Sequence, residues 1–218
     1  MAISDYDSLV AEVQRANARS NSAFVAAMPH FVGMAEQRLY DGFGNNPDDP
    51  LFSAPLRSRI METTGTITLT DGSGAIPANY LAMRKLTRSG DQIGLKYITP
   101  ERFDAEAASS QIADKPSYYT VAAGTLSVVP TWSGDLSALY YKRFDPIGVG
   151  NKTGDLLTEH GYLYFAATMV ESLVWQGEME KASAHVAKLR GMLAGANASS
   201  NDQRYSGPLR VRPRQPIP

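Results

Sequence analysis

The sequence predicts an α+β protein in which an antiparallel helical bundle carries an inserted small antiparallel β domain and ends in an extended C-terminal tail. Three observations lead to this class. Apolar residues recur at helical spacing in 1–45 and again in 150–197, whereas apolar and polar residues alternate within 56–146. The segment 198–218 contains four prolines and no apolar repeat. Because helices flank the sheet region in sequence, we expect both helical pairs to pack together with the sheet inserted between them.

The composition bounds the class of protein. Of 218 residues, 43% are hydrophobic and 20% are charged, which is typical of a globular chain long enough for a sizeable core. The absence of cysteine excludes a disulfide framework, a thiolate metal site and a cysteine nucleophile, and it suits a reducing compartment. The sequence has neither a signal-peptide pattern at its N-terminus nor a long apolar run, so we expect a soluble protein without a membrane span.

The first helix is predicted from Ser4 to about Ala18. Ser4 and Asp5 are candidate N-caps, because their side-chain oxygens can accept hydrogen bonds from the first helical turn. The residues expected to face the core are Leu9, Val13 and Ala16.

The second helix begins either near Ser22 or at Pro29. Pro29 lies within the apolar repeat, and a proline there either kinks a helix or opens one. The segment 41–55 that follows is rich in turn-forming residues and is predicted to be a linker. The inward face is predicted to contain Phe24, Met28, Phe31 or Val32, Ala35 and Leu39.

The β domain begins where the apolar period changes to two. Thr64, Thr66 and Thr68 alternate with Gly65, Ile67 and Leu69, as expected for a half-buried strand. Further strands are predicted in YLAMRKLTR, GLKYIT, SYYTVAAGTLSVVP and LSALYYKRF, with a hairpin turn at Gly124. A short helix near 100–108 is predicted because Thr99 can cap it and Pro100 suits the first helical position.

Two further helices are predicted after the β domain. Thr158 is a candidate cap for the first, and Gly177 a candidate terminator. The second is expected from about Glu178 to Leu193, ending before Gly195. The inward faces are predicted to contain Leu163, Ala166, Ala167, Val170, Leu173 and Val174 in the first, and Ala182, Val186 and Leu189 in the second.

The sequence predicts no catalytic residue, no cofactor site and no metal site. His30, His160 and His185 lack a second ligand at metal-binding spacing. The loop Gly148–Gly154 contains a Lys-Thr pair, but it lacks the glycine before the lysine and the preceding buried strand of a phosphate loop. The carboxylate pairs Asp48/Asp49 and Glu178/Glu180 are expected to be solvated or to interact with a helix dipole. Carboxylates remote in the chain remain an open alternative.

The tyrosine pairs suggest a second possible use of the β domain. Tyr118/Tyr119 and Tyr140/Tyr141 are the kind of residues that form a platform for a sugar or a base. Adjacent strand residues face opposite ways, so we expect one tyrosine of each pair to be in the core.

The charge of the chain is distributed unevenly. Residues 1–50 contain three basic and seven acidic groups, whereas 201–218 contain four arginines and one aspartate. A basic tail predicts an acidic partner surface or nucleic acid. The remainder of the chain has no basic stripe interleaved with aromatic residues, which argues against a dedicated nucleic-acid-binding surface.

Several segments, taken in order, resemble a known family. They are AMPHFVGMAEQRLY, IPANYLAMRKLT, LKYITPERFDAEA, the long segment from PSYYTVAAG to YYKRFDPI, and LLTEHGYLYFAATMVESLVW. Their order and spacing are similar to those of the head-to-tail adaptor proteins of tailed bacteriophages, the group that includes the tail tubular protein A or gatekeeper proteins. The resemblance covers about Ser8 to Leu193, and it implies a helical bundle with an inserted β domain.

The resemblance also implies a function without catalysis. Such proteins form a homo-oligomeric ring, expected here to be a dodecamer, between the portal and the tail nozzle in the neck of the virion. The β domain would contact the nozzle or another tail protein, and double-stranded DNA would pass through the channel during ejection without sequence-specific binding. Assembly in the bacterial host cytoplasm, without a membrane, would follow.

In this family a C-terminal extension contacts the portal, and the tail is the segment placed to do so. An extended strap loses little conformational freedom on docking, and its alternating arginines would share one face for pairing with portal carboxylates or genome phosphate. The alternative for such a terminus is that it frays in solvent. The predicted portal-binding residues are Tyr205, Leu209, Arg210, Val211, Arg212, Arg214 and Ile217.

Two other functions remain open at this point. One is a carbohydrate-binding or glycan-cleaving, tail-associated β domain on a helical stalk. The other is a head-completion protein of a different phage lineage with similar topology.

Overall fold

A computed structural model describes residues 3–91, 93–109 and 115–204. Within them the chain is mixed α+β, as the sequence predicts, with five α-helices and two β-sheets. The chain divides into two compact units, and the division falls inside the first and fourth helices. The β unit contains the chain up to Ala11 and Ile60–Gly161; the helical unit contains Glu12–Arg59 and the chain from Tyr162 onward.

The helices and strands have the following bounds. The helices are α1 Tyr6–Asn17, α2 Ser22–Asp41, α3 Pro100–Ser109, α4 Asp155–Trp175 and α5 Met179–Arg204, and a short 3-10 helix covers Arg59–Met61. The strands are β1 Glu62–Leu69, β2 Ser73–Ala75, β3 Tyr80–Arg88, β4 Lys96–Tyr97, β5 Tyr118–Ala122, β6 Thr125–Val129 and β7 Gly134–Lys142.

The strands form two sheets with the orders β1-β7-β3 and β2-β6-β5-β4. The alternation predicted for β1 is observed: Ile67 and Leu69 are buried, and Thr66 and Thr68 are exposed. Both sheets contribute residues to the core of the β unit. The first sheet contributes Ile67, Leu69, Leu86, Leu136, Ala138 and Tyr140, and the second contributes Tyr119, Leu126 and Val128. Burial of these side chains is the main contribution that holds the sheets together.

The prediction of a purely antiparallel sheet is wrong at one pair of strands. β4 pairs with β5 in parallel, with Tyr97 opposite Tyr119. The predicted helix α3 lies between these strands in sequence and supplies the crossover connection that parallel pairing requires. The hairpin between β5 and β6 is as predicted, because Ala123 and Gly124 both adopt positive φ, at 47° and 76°, as a tight hairpin turn demands.

The N-terminal helices agree closely with the sequence. Asp5 caps α1, since its Oδ1 accepts a hydrogen bond from the backbone N–H of Ser8 at 2.8 Å. Leu9 and Val13 are buried, but Ala16 is exposed, in contrast to the prediction.

Helix α2 begins at the earlier of the two predicted positions. Asn21 caps it by accepting a hydrogen bond from the N–H of Phe24 at 2.9 Å. Pro29 lies inside the helix at an exposed position, so the proline neither ends the helix nor opens it. The predicted inward residues Phe24, Met28, Phe31, Val32, Ala35 and Leu39 are all buried.

Helix α4 begins at Asp155, before the predicted cap Thr158, whose hydroxyl instead donates to the carbonyl of Gly154 at 3.1 Å. Its backbone departs from helical geometry at His160, with φ −124° and ψ 37°. Gly177 follows the end of the helix with φ 76°, as predicted. The predicted inward residues of α4 are buried apart from the half-buried Val174.

Helix α5 is longer than predicted. It continues through Gly195 to Arg204, so 198–204 is helical and not part of an extended tail. Glycine, asparagine and serine are poor helix formers, and propensity alone therefore predicted an earlier end. Side chains in this part of α5 are fixed by tertiary hydrogen bonds, which outweigh the weak propensity.

Candidate docking sites

The predicted portal-binding residues Tyr205, Leu209, Arg210, Val211, Arg212, Arg214 and Ile217 all lie outside the described residues. What the structure describes is the element from which this segment continues, namely the last turns of α5. The geometry around those turns therefore defines the base of the tail.

The segment predicted as a linker is an anchored loop in the helical unit. Within it, Phe43 and Ser53 pair backbone to backbone as an antiparallel bridge. Arg38 on α2 donates from Nη1 to the carbonyl of Leu51 at 2.8 Å, and its guanidinium lies over the Phe43 ring at 4.2 Å. We call residues 42–58 the anchored loop.

Arg38 is itself buried and paired. Its Nε donates to Oε1 of Glu171 on α4 at 2.6 Å, and the two side chains are 2% and 10% exposed. A buried guanidinium is tolerated only when a carboxylate and further acceptors satisfy it, and here Glu171 and Leu51 do so. The ion pair thus joins α2, α4 and the anchored loop.

Helix α5 contacts the other end of the anchored loop. Arg190 donates from Nε to the carbonyl of Phe52 at 2.5 Å. Asn197 donates to the carbonyl of Pro55 at 3.1 Å and accepts from the N–H of Arg57 at 2.7 Å. The hydroxyl of Ser200 accepts from the N–H of Arg59 at 3.2 Å. The helix that leads into the tail is therefore fixed to the helical unit close to its end.

The β unit contains an open cavity of about 490 Å³ lined by Tyr80, Met83, Tyr97, Tyr119 and Val121, which we call the tyrosine cavity. Tyr97 is 56% exposed, and its ring centroid lies 5.7 Å from that of Tyr119 in an edge-on arrangement. Burial raises the pKa of Tyr119 to about 12, so its hydroxyl stays protonated at neutral pH. The cavity therefore offers aromatic faces and phenolic hydroxyls.

The expectation for the tyrosine pairs is met in one pair only. Tyr119 is buried and Tyr118 is half-buried, whereas Tyr140 and Tyr141 are both buried. The cavity combines Tyr119 with Tyr80 and Tyr97, which no local sequence pattern marks as site residues. The sequence places Tyr97 in the predicted strand GLKYIT. The pairing of that strand with β5, which brings Tyr97 next to Tyr119, was not predictable.

The residues considered for chemistry have structural contacts. Lys152 of the glycine-containing loop donates from Nζ to Oδ2 of Asp7 at 2.6 Å, and its carbonyl accepts from the N–H of Tyr6 at 2.7 Å. The hydrogen bond with Asp7 raises the pKa of Lys152. The lysine thus holds the start of α1 and does not face an open phosphate site. In the part of the chain that the structure describes, no three histidine, aspartate or glutamate side chains gather as metal ligands.

His160 should make stability depend on pH. The residue is 8% exposed, and burial lowers its pKa below the ordinary value of 6.5. The unfolded chain then binds the proton more readily, so the free energy of unfolding should decrease as the pH falls below 6.5 through the folded-state pKa. The check is denaturant unfolding of the wild type and of His160→Gln at a series of pH values around and below 6.5. Burial also lowers the pKa of His185, but that residue is present in both proteins. If the free energy of unfolding depended on pH equally in both proteins, His160 would not be the cause.

The fixed end of α5 and the open tyrosine cavity are the two candidate docking sites. The model of the SU10 adaptor protein family matches residues 4–212, and the chain therefore belongs to that family. No curated protein matches the chain. Family membership confirms the resemblance to bacteriophage head-to-tail adaptors.

Membership of this family indicates the general function of the chain. The chain is a structural adaptor of the phage virion, located in the neck, where it assembles with other neck proteins, and the family implies a non-enzymatic role. Among the described helices, none is both long and apolar enough to span a bilayer.

Proposed function

We propose that the protein forms a ring, most simply a dodecamer, between the portal and the tail nozzle and completes the neck around a DNA channel. The helical pairs would form a bundle that carries the β unit as an insertion, with domains at 1–45, 56–146 and 150–197. The segment from Tyr205 would extend to the portal, and the β unit would contact the nozzle. The observation that carries this proposal is the family match over residues 4–212.

Two features of the chain support a portal-binding role for the tail. The segment from Tyr205 to Pro218 contains three arginines and no acidic residue, which suits an acidic acceptor surface. The last turns of α5 are fixed by Asn197 and Ser200, so the strap would start from a defined point. A defined start lowers the entropic cost of docking.

Removal of the tail charge should abolish joining to the portal. The test variant is the full-length chain with Arg210, Arg212 and Arg214 changed to glutamine; a chain ending at Arg204 provides the complete deletion. The matched control changes three lysines of the β unit, Lys85, Lys96 and Lys115, to glutamine and so removes the same net charge. Electron microscopy and co-sedimentation with purified portal should show joined rings for wild type and control only. Undiminished joining by the deletion would overturn the role of the strap.

The carbohydrate alternative would use the tyrosine cavity. Glycan cleavage requires two carboxyl groups flanking the scissile bond. The five residues that line the cavity include no carboxylate. The structure therefore gives the glycan-cleaving alternative no specific support at this site.

A further inference from the structure

The tyrosine cavity has the chemistry of a receptor for an extended, proline-containing segment. It presents the rings of Tyr80, Tyr97 and Tyr119 with the apolar side chains of Met83 and Val121. Proline rings pack flat on aromatic faces, and the polyproline II backbone leaves its carbonyls free to accept hydrogen bonds from phenolic hydroxyls. The half-exposed ring of Tyr97 leaves a large apolar surface in solvent that such a ligand would cover.

The helix that packs beside strand β5 is acidic. Helix α3 packs against β5, the strand that contributes Tyr119 and Val121. The helix carries Glu101, Asp104 and Glu106 against a single basic residue, Arg102, which gives it a net charge of −2. Glu101 and Asp104 are exposed. A ligand with positive charges is therefore complementary to α3.

The chain itself contains such a ligand beyond α5. Residues 210–216 have the sequence Arg-Val-Arg-Pro-Arg-Gln-Pro, with prolines three residues apart and three arginines. A polyproline II helix has three residues per turn, so Arg210, Pro213 and Pro216 would lie on one face over about 19 Å, six steps of about 3.1 Å. Because proline restricts its own φ and the residue before it, docking costs such a segment little entropy.

We propose that the tyrosine cavity of one copy binds the proline-rich segment Gly207–Pro218 of a second copy. Pro213 and Pro216 pack against Tyr97 and Tyr80, and Arg212 and Arg214 lie on the other two faces of the segment. This inference goes beyond the portal-binding role of the tail, because the receptor is the β unit of the same protein. The portal and the cavity then compete for the same segment. The segment is bound to the cavity of another copy before it binds the portal.

The test uses the full-length chain with Pro213 and Pro216 changed to alanine, so that its own tail does not compete. A fluorescein-labelled synthetic peptide of residues 205–218 is titrated against it, and the dissociation constant is measured by anisotropy. Saturable binding is expected. Tyr97→Ala in the same background should weaken binding about tenfold, the loss of a typical aromatic anchor. Because Tyr97 is 56% exposed, the substitution should leave the fold intact, which circular dichroism checks.

Matched controls separate the cavity from nonspecific attraction. Tyr162→Ala removes another exposed tyrosine, one of the helical unit, and should leave the dissociation constant unchanged. A peptide with alanine at the positions of Pro213 and Pro216 keeps every arginine and should bind at least about tenfold more weakly. Tyr97→Phe keeps the ring but removes the hydroxyl, so its effect should fall between those of wild type and Tyr97→Ala.

The outcomes are distinct from those of the portal experiment. Absence of saturable binding, equal binding of the alanine peptide, or an unchanged affinity of Tyr97→Ala would each overturn the proposal. Joining to portal would be unaffected by any of these results. Binding of a glycan from a broad panel without saturable binding of the peptide would assign the cavity to carbohydrate and would also overturn the proposal.

Discussion

Replacing Arg38 with alanine is expected to lower the free energy of unfolding of the helical unit by about 3–5 kcal/mol. The substitution leaves the carboxylate of Glu171, a side chain only 10% exposed, without the guanidinium that pairs with it at 2.6 Å. It also removes the donor that satisfies the carbonyl of Leu51 in the anchored loop. An uncompensated buried charge costs far more than the net contribution of the intact pair.

The measurement requires a signal from the helical unit alone. The chain has two tryptophans, Trp132 in the β unit and Trp175 in the helical unit. In a Trp132→Phe background, urea unfolding followed by fluorescence reports the surroundings of Trp175. The control Arg15→Ala breaks an exposed pair with Glu12 on α1 and should have a much smaller effect. A loss no larger than that of the control would contradict the buried-pair argument.

A double variant tests whether the unpaired carboxylate of Glu171 causes the loss of stability. Changing Arg38 to methionine together with Glu171 to leucine removes both charges and keeps apolar volume in the site. Such replacements of buried ion pairs are often neutral or stabilising, although the carbonyl of Leu51 still loses its donor here. The double variant should therefore be more stable than Arg38→Ala. If it were less stable, the ion pair itself would be a net source of stability.

Helix faces were predictable because apolar periodicity is local information. Arg38 shows where that information ends. It lies between Ala35 and Leu39 on the inward face of α2, so its burial could have been inferred from the repeat. Its partner Glu171 is 133 residues further along the chain, and no local pattern connects the two. Long-range polar pairing is fixed by the packing of helices, which the sequence alone did not specify.

Local sequence patterns also failed to predict the end of α5 and the tyrosine cavity, because both depend on long-range contacts. Propensity predicted an end before Gly195, whereas Asn197 bonds to backbone groups at Pro55 and Arg57, about 140 residues away in sequence. Tyr97 joins Tyr119 because β4 and β5 pair in parallel across α3. In both cases the deciding contacts were distant in the chain.

Replacing Phe31 with alanine is expected to destabilise the helical unit by about 3–5 kcal/mol, the range for deleting a buried aromatic ring. Phe31 is 1% exposed, and its ring lies 5.6 Å from that of Phe24 and 5.5 Å from that of Trp175. The loss removes these ring contacts and leaves a cavity that the neighbouring helices fill only partly. Fluorescence of Trp175 in the Trp132→Phe background should show a lower denaturation midpoint.

A matched variant in the β unit makes this prediction a test of the division into two units. Leu126 is fully buried in the core between the sheets, and Leu126→Ala should cost about 2–5 kcal/mol there. The Trp132 signal is followed in a Trp175→Phe background. If the units unfold separately, Phe31→Ala shifts the unfolding transition seen by Trp175 but not the one seen by Trp132. Leu126→Ala then shifts the transition seen by Trp132 but not the one seen by Trp175. Coincident shifts of both signals in both variants would mean that the units unfold as one cooperative structure. Separate transitions would allow the β unit to remain folded while the helical unit, from which the tail extends, rearranges.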